Sequence, residues 1–293
     1  MEQSVQVMHW DVFSKEKHKG NPAGVVLDAD FLTVEQMQLI AKKVGFNETS
    51  FVDESNVADF KIRYFTPGHE MNMCGHATMA VSFALQKMKK LPTKKEWSVE
   101  TEAGILSISI DESSCKMQQM NPSFQAFRGD KERLMESIGL TIDDLHDSFP
   151  IVYGSTGIWT LLVPIRGLEA FSRMKPFQDK FPDALREMPR VSIHPFCMET
   201  IHSEADMHAR HFSSPYSGTI EDAVTGTASG VMGGYYATYI KPDEDKYKLS
   251  VEQGIEIGKD GRVIVEVERQ GADLEVAIRG TATYVDEINI TYR

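Results

Sequence analysis

Apolar and polar positions alternate along the opening of the chain. Val5 and Val7, then Trp10 and Val12, predict a half-buried strand that stops at the turn residues His18-Lys19-Gly20-Asn21-Pro22, and Ala23 to Leu27 predicts a second. Thr33-Val34-Glu35-Gln36 supplies an N-cap hydroxyl with Gln at the third helical position. Met37, Ile40, Ala41 and Val44 follow at helical spacing as far as Gly45, so a helix is predicted here and then a strand reaching Val52. Phe60, Ile62 and Tyr64 alternate with charged residues up to Pro67, which predicts another half-buried strand. The run from Ala77 to Met88 is apolar almost all round and predicts a buried helix. Trp97 to Thr101 and Leu106 to Ile110 predict strands.

The second half follows a similar plan. A helix is predicted from Asp130 to Ile138, strands near Ile151 and at Trp159 to Val163, short helices around Glu169 and Ala184, and strands near Val191 and Phe212. Thr225 to Tyr239 is Gly-rich and apolar and predicts a second buried helix. Lys259-Asp260-Gly261 between Ile255-Glu256-Ile257 and Val263-Ile264-Val265 predicts a hairpin turn with a strand on each side. Arg63-Tyr64-Phe65-Thr66-Pro67 precedes Cys74-Gly75-His76-Ala77-Thr78, just as Arg210-His211-Phe212-Ser213-Ser214-Pro215 precedes Thr225-Gly226-Thr227-Ala228-Ser229. Arg63 and Arg210 are 147 residues apart and Gly75 and Gly226 are 151 apart, each close to half of the 293-residue chain. Strand, Pro turn, Gly and buried helix thus recur in order, which predicts a duplicated domain.

Composition narrows the classes. With 41% hydrophobic and 25% charged residues the chain is an ordinary globular sequence, which excludes disorder and low complexity. Thirty-one Lys and Arg against 43 Asp and Glu leave a net charge of −12, a field that repels phosphate backbones and anionic headgroups, so neither nucleic acid nor membrane is an expected partner. No apolar run is long enough to span a bilayer and the opening residues lack a signal-like apolar stretch, so the chain is read as cytoplasmic. Cys74, Cys115 and Cys197 are odd in number and lack CxxC spacing, which argues for free thiols and against a disulfide framework or structural zinc.

The candidate chemistry gathers at the turns into the two buried helices. Gly75 and Gly226 let backbone approach a ligand closely, and the unpaired N–H groups of a helix N-terminus form an anion site. Glu48 stands between a helix end and an apolar strand start, where partial desolvation suits a carboxylate to move protons near neutral pH. His76 directly after Gly75 is a second acid–base candidate. His69, Glu70, Cys74 and His76 match no metal-ligand spacing, and His202, His208 and His211 are scattered along a polar stretch and read as solvated, so no metal is expected. GxGxxG and GxxxxGK[ST] are both absent, so no nucleotide cofactor is expected either.

Gly20-Asn21-Pro22-Ala23-Gly24-Val25, Asn47-Glu48-Thr49-Ser50-Phe51-Val52, Phe65-Thr66-Pro67 with Cys74-Gly75-His76-Ala77-Thr78, Glu221-Asp222-Ala223-Val224-Thr225-Gly226-Thr227-Ala228 and Val251-Glu252-Gln253-Gly254 together resemble the phenazine-biosynthesis PhzF-like family over nearly the whole chain. The resemblance implies an α+β, diaminopimelate-epimerase-like fold: two similar domains from an internal duplication, each a strand-rich, barrel-like layer around a central helix, with the active site in the cleft between them. The expected boundaries are 1–118, completed by the last strand 282–293, and 119–281.

By the same resemblance Glu48, His76 and Asp222 are catalytic, and Gly75, Ala77, Gly226 and Thr227 bind substrate. Thr227 stands where the family commonly has Ser. The implied activity is a cofactor-independent isomerase that moves a proton between carbons of a small carboxylate-bearing metabolite. An amino-acid epimerase or racemase and a non-catalytic metabolite binder are the alternatives. The fold's racemases use two opposed cysteines; Cys74 matches the first, but the second position is Thr225, which disfavours two-thiol chemistry. A homodimer is expected by resemblance only.

Overall fold

A computed structural model describes residues 3–91 and 96–292. The chain divides into two compact units, Met1–Gln118 with Arg279–Arg293, and Gln119–Ile278. In the first, β1 (Ser4–Val12) lies antiparallel to both β2 (Asn21–Val26) and the closing strand β17 (Ala282–Thr291). α1 (Val34–Val44) then carries the chain to β3 (Glu48–Asp53), which joins β2 in parallel. β3 pairs antiparallel with β4 (Phe60–Phe65), and β4 also takes the short β5 (Glu70–Met71). After α2 (Gly75–Lys87), β6 (Glu96–Thr101) joins β4 in parallel, and β7 (Gly104–Ile110) and β8 (Cys115–Gln118) complete an antiparallel meander.

The two helices of this unit form for different reasons. α1 is amphipathic: Met37, Ile40 and Ala41 pack with Phe51, Phe65 and Ile290, while its other face meets water. Its start is a complete capping box, with Gln36 N–H donating to Thr33 Oγ1 and Thr33 N–H to Gln36 Oε1. It ends at left-handed Gly45. α2 has no wet face. Ala77 through Leu85 are all buried, and strands β1, β2, β3 and β8 pack around it. Its interior hydroxyls are satisfied within the helix, Thr78 donating to the Cys74 carbonyl at 2.8 Å and Ser82 to the Thr78 carbonyl at 2.9 Å.

The second unit repeats the plan. After β9 (Ser123–Ala126) and α3 (Lys131–Ser137), β10 (Val152–Ser155) pairs antiparallel with β9 and with β11 (Trp159–Pro164). Past α4 (Phe181–Ala184), β12 (Ser192–Cys197) joins β11 in parallel, as β3 joins β2. β13 (Met207–Ala209) leads to the central helix α5 (Gly226–Tyr235), then come β14 (Lys246–Gln253), β15 (Gly261–Gln270) and β16 (Asp273–Gly280). Every residue of α5 but Thr227 is buried. A Cβ on Gly233 would run into Val265 of β15, so the Gly-rich sequence lets the helix lie close to the strands.

Three expectations need correction. Ile255–Ile257 is a 3₁₀ turn rather than a strand, because Gly254 (φ 88°) and Gly258 (φ 72°) turn the chain at either end, and β15 pairs instead with Lys246–Gln253. The helix from Thr225 stops at Tyr235 and opens into a π turn, Tyr236–Ile240. The short helix expected around Glu169 is present and is of the 3₁₀ kind, Leu168–Arg173, whereas Phe212 makes only isolated bridges to Ile193 and Glu221. Among the described residues no helix is long and apolar enough to cross a membrane.

Candidate active site

Glu48 is the first residue of β3, three residues beyond the Gly45 that ends α1, and His76 is the second residue of α2. The parallel pairing of β3 with β2 and the packing of α2 on both strands bring these two together. His76 Nε2 lies 3.2 Å from Glu48 Oε2, with the two side chains only 10% and 13% exposed. The two meet as a buried ion pair without a hydrogen bond of ideal geometry at either atom. Cys74, the residue before the helix, places Sγ 3.4 Å from His76 Nδ1 on the opposite edge of the ring.

Burial opposes charge on His76, but Cys74 and Glu48 outweigh it and hold the imidazole well above its ordinary value. Burial and then the Glu48 charge push the Cys74 thiol up, against the opposing pull of His76. The rise at His76 thus rests on both neighbours, Cys74 first and Glu48 second. Donor atoms of Glu48, Cys74 and His76 fall within 4.8 Å of one another, as metal ligands would. Cys74 Sγ and Glu48 Oε2 lie at the two ring nitrogens of one imidazole, an arrangement that also suits a proton relay.

The start of α2 leaves backbone donors open. The first turn carries no acidic side chain, and the N–H groups of Gly75 and His76, as at any helix start, have no acceptor within the helix. A Cβ on Gly75 would meet only Met117 Sδ, at 3.8 Å, so packing does not require the glycine and its open face is available to a ligand. Ala77 is fully buried, backbone included, so it presents no surface of its own.

In the second unit Asp222 lies on the turn before α5. Thr225 Oγ1 donates to Asp222 Oδ2 at 2.6 Å, and Thr225, like Cys74, makes no capping bond to its own helix. Gly226 is buried, while Thr227 is partly exposed and accepts a bond from Thr156 Oγ1 at its carbonyl, 3.3 Å. Each unit also braces the strand before its helix with a bidentate pair. Arg63 holds Glu70 with two bonds of 2.7 Å, and Arg210 holds Glu221 with bonds of 2.8 and 2.6 Å. The guanidiniums stack over Phe65 and Phe212 respectively.

The reading of His208 and His211 as solvated is wrong. His208 is fully buried between Glu252 and Glu256, 2.8 Å from each, and His211 is buried 3.0 Å from His194. His202 is partly exposed. Cys74, Cys115 and Cys197 are free thiols, and all are buried.

The model of the phenazine biosynthesis-like protein family matches residues 10–288. The chain belongs to this family. It is 48% identical to isomerase YfhB of Bacillus subtilis over 283 residues, 95% of this chain and 96% of that one. It is 28% identical to the trans-2,3-dihydro-3-hydroxyanthranilate isomerase of Pseudomonas aeruginosa, over 93% of this chain and 95% of that one. Among solved structures, the PhzF-family phenazine biosynthesis protein of Bacillus anthracis matches with TM-score 0.96 and 53% identity, covering 98% and 99% of the two chains. At the level of fold alone, a hydroxyproline epimerase from Agrobacterium vitis matches with TM-score 0.62 at 12% identity over 99% of this chain and 94% of that one. The PhzF-like chain thus has the diaminopimelate-epimerase-like architecture and is an enzyme of the isomerase class.

Proposed function

We propose that this PhzF-like isomerase moves a proton between two carbons of a small carboxylate-bearing substrate without a cofactor. The observation that carries the proposal is the buried ion pair of Glu48 Oε2 and His76 Nε2, 3.2 Å apart at the start of α2. Glu48 takes a proton from one carbon, exchanges it with solvent and delivers a proton at another position. The His76 imidazolium donates a hydrogen bond to the negative charge that develops on the substrate when the proton leaves. The N–H groups opening α2 hold the substrate carboxylate. Asp222, Gly226 and Thr227 are assigned the orienting role.

The name of the P. aeruginosa relative supplies the first substrate to try, trans-2,3-dihydro-3-hydroxyanthranilate. Isomerisation changes its conjugation and therefore its absorbance, and in D₂O the moved proton is replaced by deuterium. Epimerisation of an amino acid is the second reading, supported by Cys74 beside His76 at 3.4 Å. It predicts deuterium only at the inverted α-carbon, with no change of absorbance. Thr225 in place of a second thiol weighs against it.

A further inference from the structure

The Val251-Glu252-Gln253-Gly254 motif has no part in the chemistry assigned above, yet it ends β14 against the turn that carries Asp222. Gln253 is fully buried, and its amide is used on both sides. Nε2 donates to the Asp222 carbonyl at 2.9 Å and to Thr225 Oγ1 at 3.2 Å, while Oε1 accepts the Thr225 N–H at 3.1 Å. An amide nitrogen only donates, so Thr225 Oγ1 is the acceptor in that contact, and its own proton goes to Asp222 Oδ2. The polarity of the chain is thereby set: Gln253 to Thr225 to Asp222. Gly254 makes the approach possible. It sits at φ 88°, and a Cβ there would lie 2.5 Å from the Ala223 carbonyl oxygen.

We propose that Gln253 and Thr225 are positioning residues that hold the Asp222 carboxylate in its working orientation through this directed relay. The proposal rests on the role given to Asp222 above. The first unit offers a parallel: there, too, the residue before the central helix makes no capping bond, and its side chain lies against a titratable neighbour, Cys74 Sγ beside His76. In both units the N-cap position serves a candidate catalytic group instead of its helix.

The test compares Thr225→Val, which keeps shape and removes the hydroxyl, with Thr225→Ser, which keeps the hydroxyl. Turnover of trans-2,3-dihydro-3-hydroxyanthranilate, the thermal midpoint and a crystal structure are obtained for each variant and for wild type. Thr225→Val is expected to lower kcat by about 10- to 100-fold with KM little changed, the worth of one hydrogen bond to a charged group, while Thr225→Ser stays within about threefold of wild type. Gln253→Glu, which withdraws both donors but keeps Oε1, is expected to lower kcat in the same way. Wild-type kcat in Thr225→Val, or a rise in KM alone, overturns the relay. If wild type does not turn the probe over, the functional reading fails for that substrate, and the relay is judged on the crystal structures. A displaced Asp222 carboxylate in Thr225→Val and a retained one in Thr225→Ser support it, and an unmoved carboxylate in Thr225→Val overturns it.

Discussion

At the scale of single residues, the account depends on a buried imidazolium set against a carboxylate. His76 is held well above its ordinary value of 6.5, so its pairing with Glu48 is complete below pH 6.5 and persists through neutrality. It is lost as pH rises through the folded-state value. Turnover should therefore fall on an alkaline limb. In His76→Asn, whose amide still donates but does not titrate, kcat should be lower and that limb absent. A limb unchanged in the variant would assign it to another group. The motif residues around Glu48 and His76 were legible in the sequence, because both side chains sit in short contiguous signatures at element starts. The Thr225–Gln253 contact was not, because it joins residues 28 positions apart and depends on where β14 ends. The burial of His208 was hidden for the same reason. Its polar neighbours along the chain suggest solvent, while the carboxylates that enclose it come from 44 and 48 residues further on.

At the scale of elements, local chemistry decided what the sequence could show. Thr33, Gln36 and Gly45 bound α1 within a few residues of one another, and the helix forms where they indicate. Ile255-Glu256-Ile257 is too short for its alternation to decide anything. Two left-handed glycines override it. These glycines also allow a clean contrast. A Cβ on Gly45 meets nothing within 4 Å, so Gly45→Ala costs only the left-handed conformation, about 1–2 kcal/mol. Gly254→Ala bears the same conformational cost and in addition drives a Cβ against the Ala223 carbonyl. Denaturant unfolding should therefore rank Gly254→Ala well below Gly45→Ala in stability, and equal losses would show that the turn before α5 yields easily.

At the scale of the molecule, the duplication was legible as a repeated order of strand, Pro turn, Gly and helix, but its chemical content was not. Both halves keep the Arg–Glu brace, and they have diverged in burial. Arg210 and Glu221 are each 8% exposed, against 19% and 27% for Arg63 and Glu70. Removing one partner of the more buried pair, as in Glu221→Ala, should cost about 3–5 kcal/mol, and Glu70→Ala clearly less. Comparable losses in chemical denaturation would contradict the difference.

Stability should also respond to pH through His208. Burial opposes its charge, but Glu252 and Glu256 outweigh burial and raise it above 6.5, so its contribution is complete below pH 6.5 and is lost as pH rises through the folded value. The difference in unfolding free energy between wild type and His208→Gln should shrink toward alkaline pH. A constant difference would deny the ion pairs.

Whether Glu48 moves a proton between carbons is read by following trans-2,3-dihydro-3-hydroxyanthranilate in D₂O with wild type and Glu48→Gln. Wild type should incorporate deuterium as the absorbance changes, and Glu48→Gln should slow both by about 10²- to 10⁴-fold with its thermal midpoint preserved. Wild-type rates of deuterium incorporation by Glu48→Gln would contradict the account.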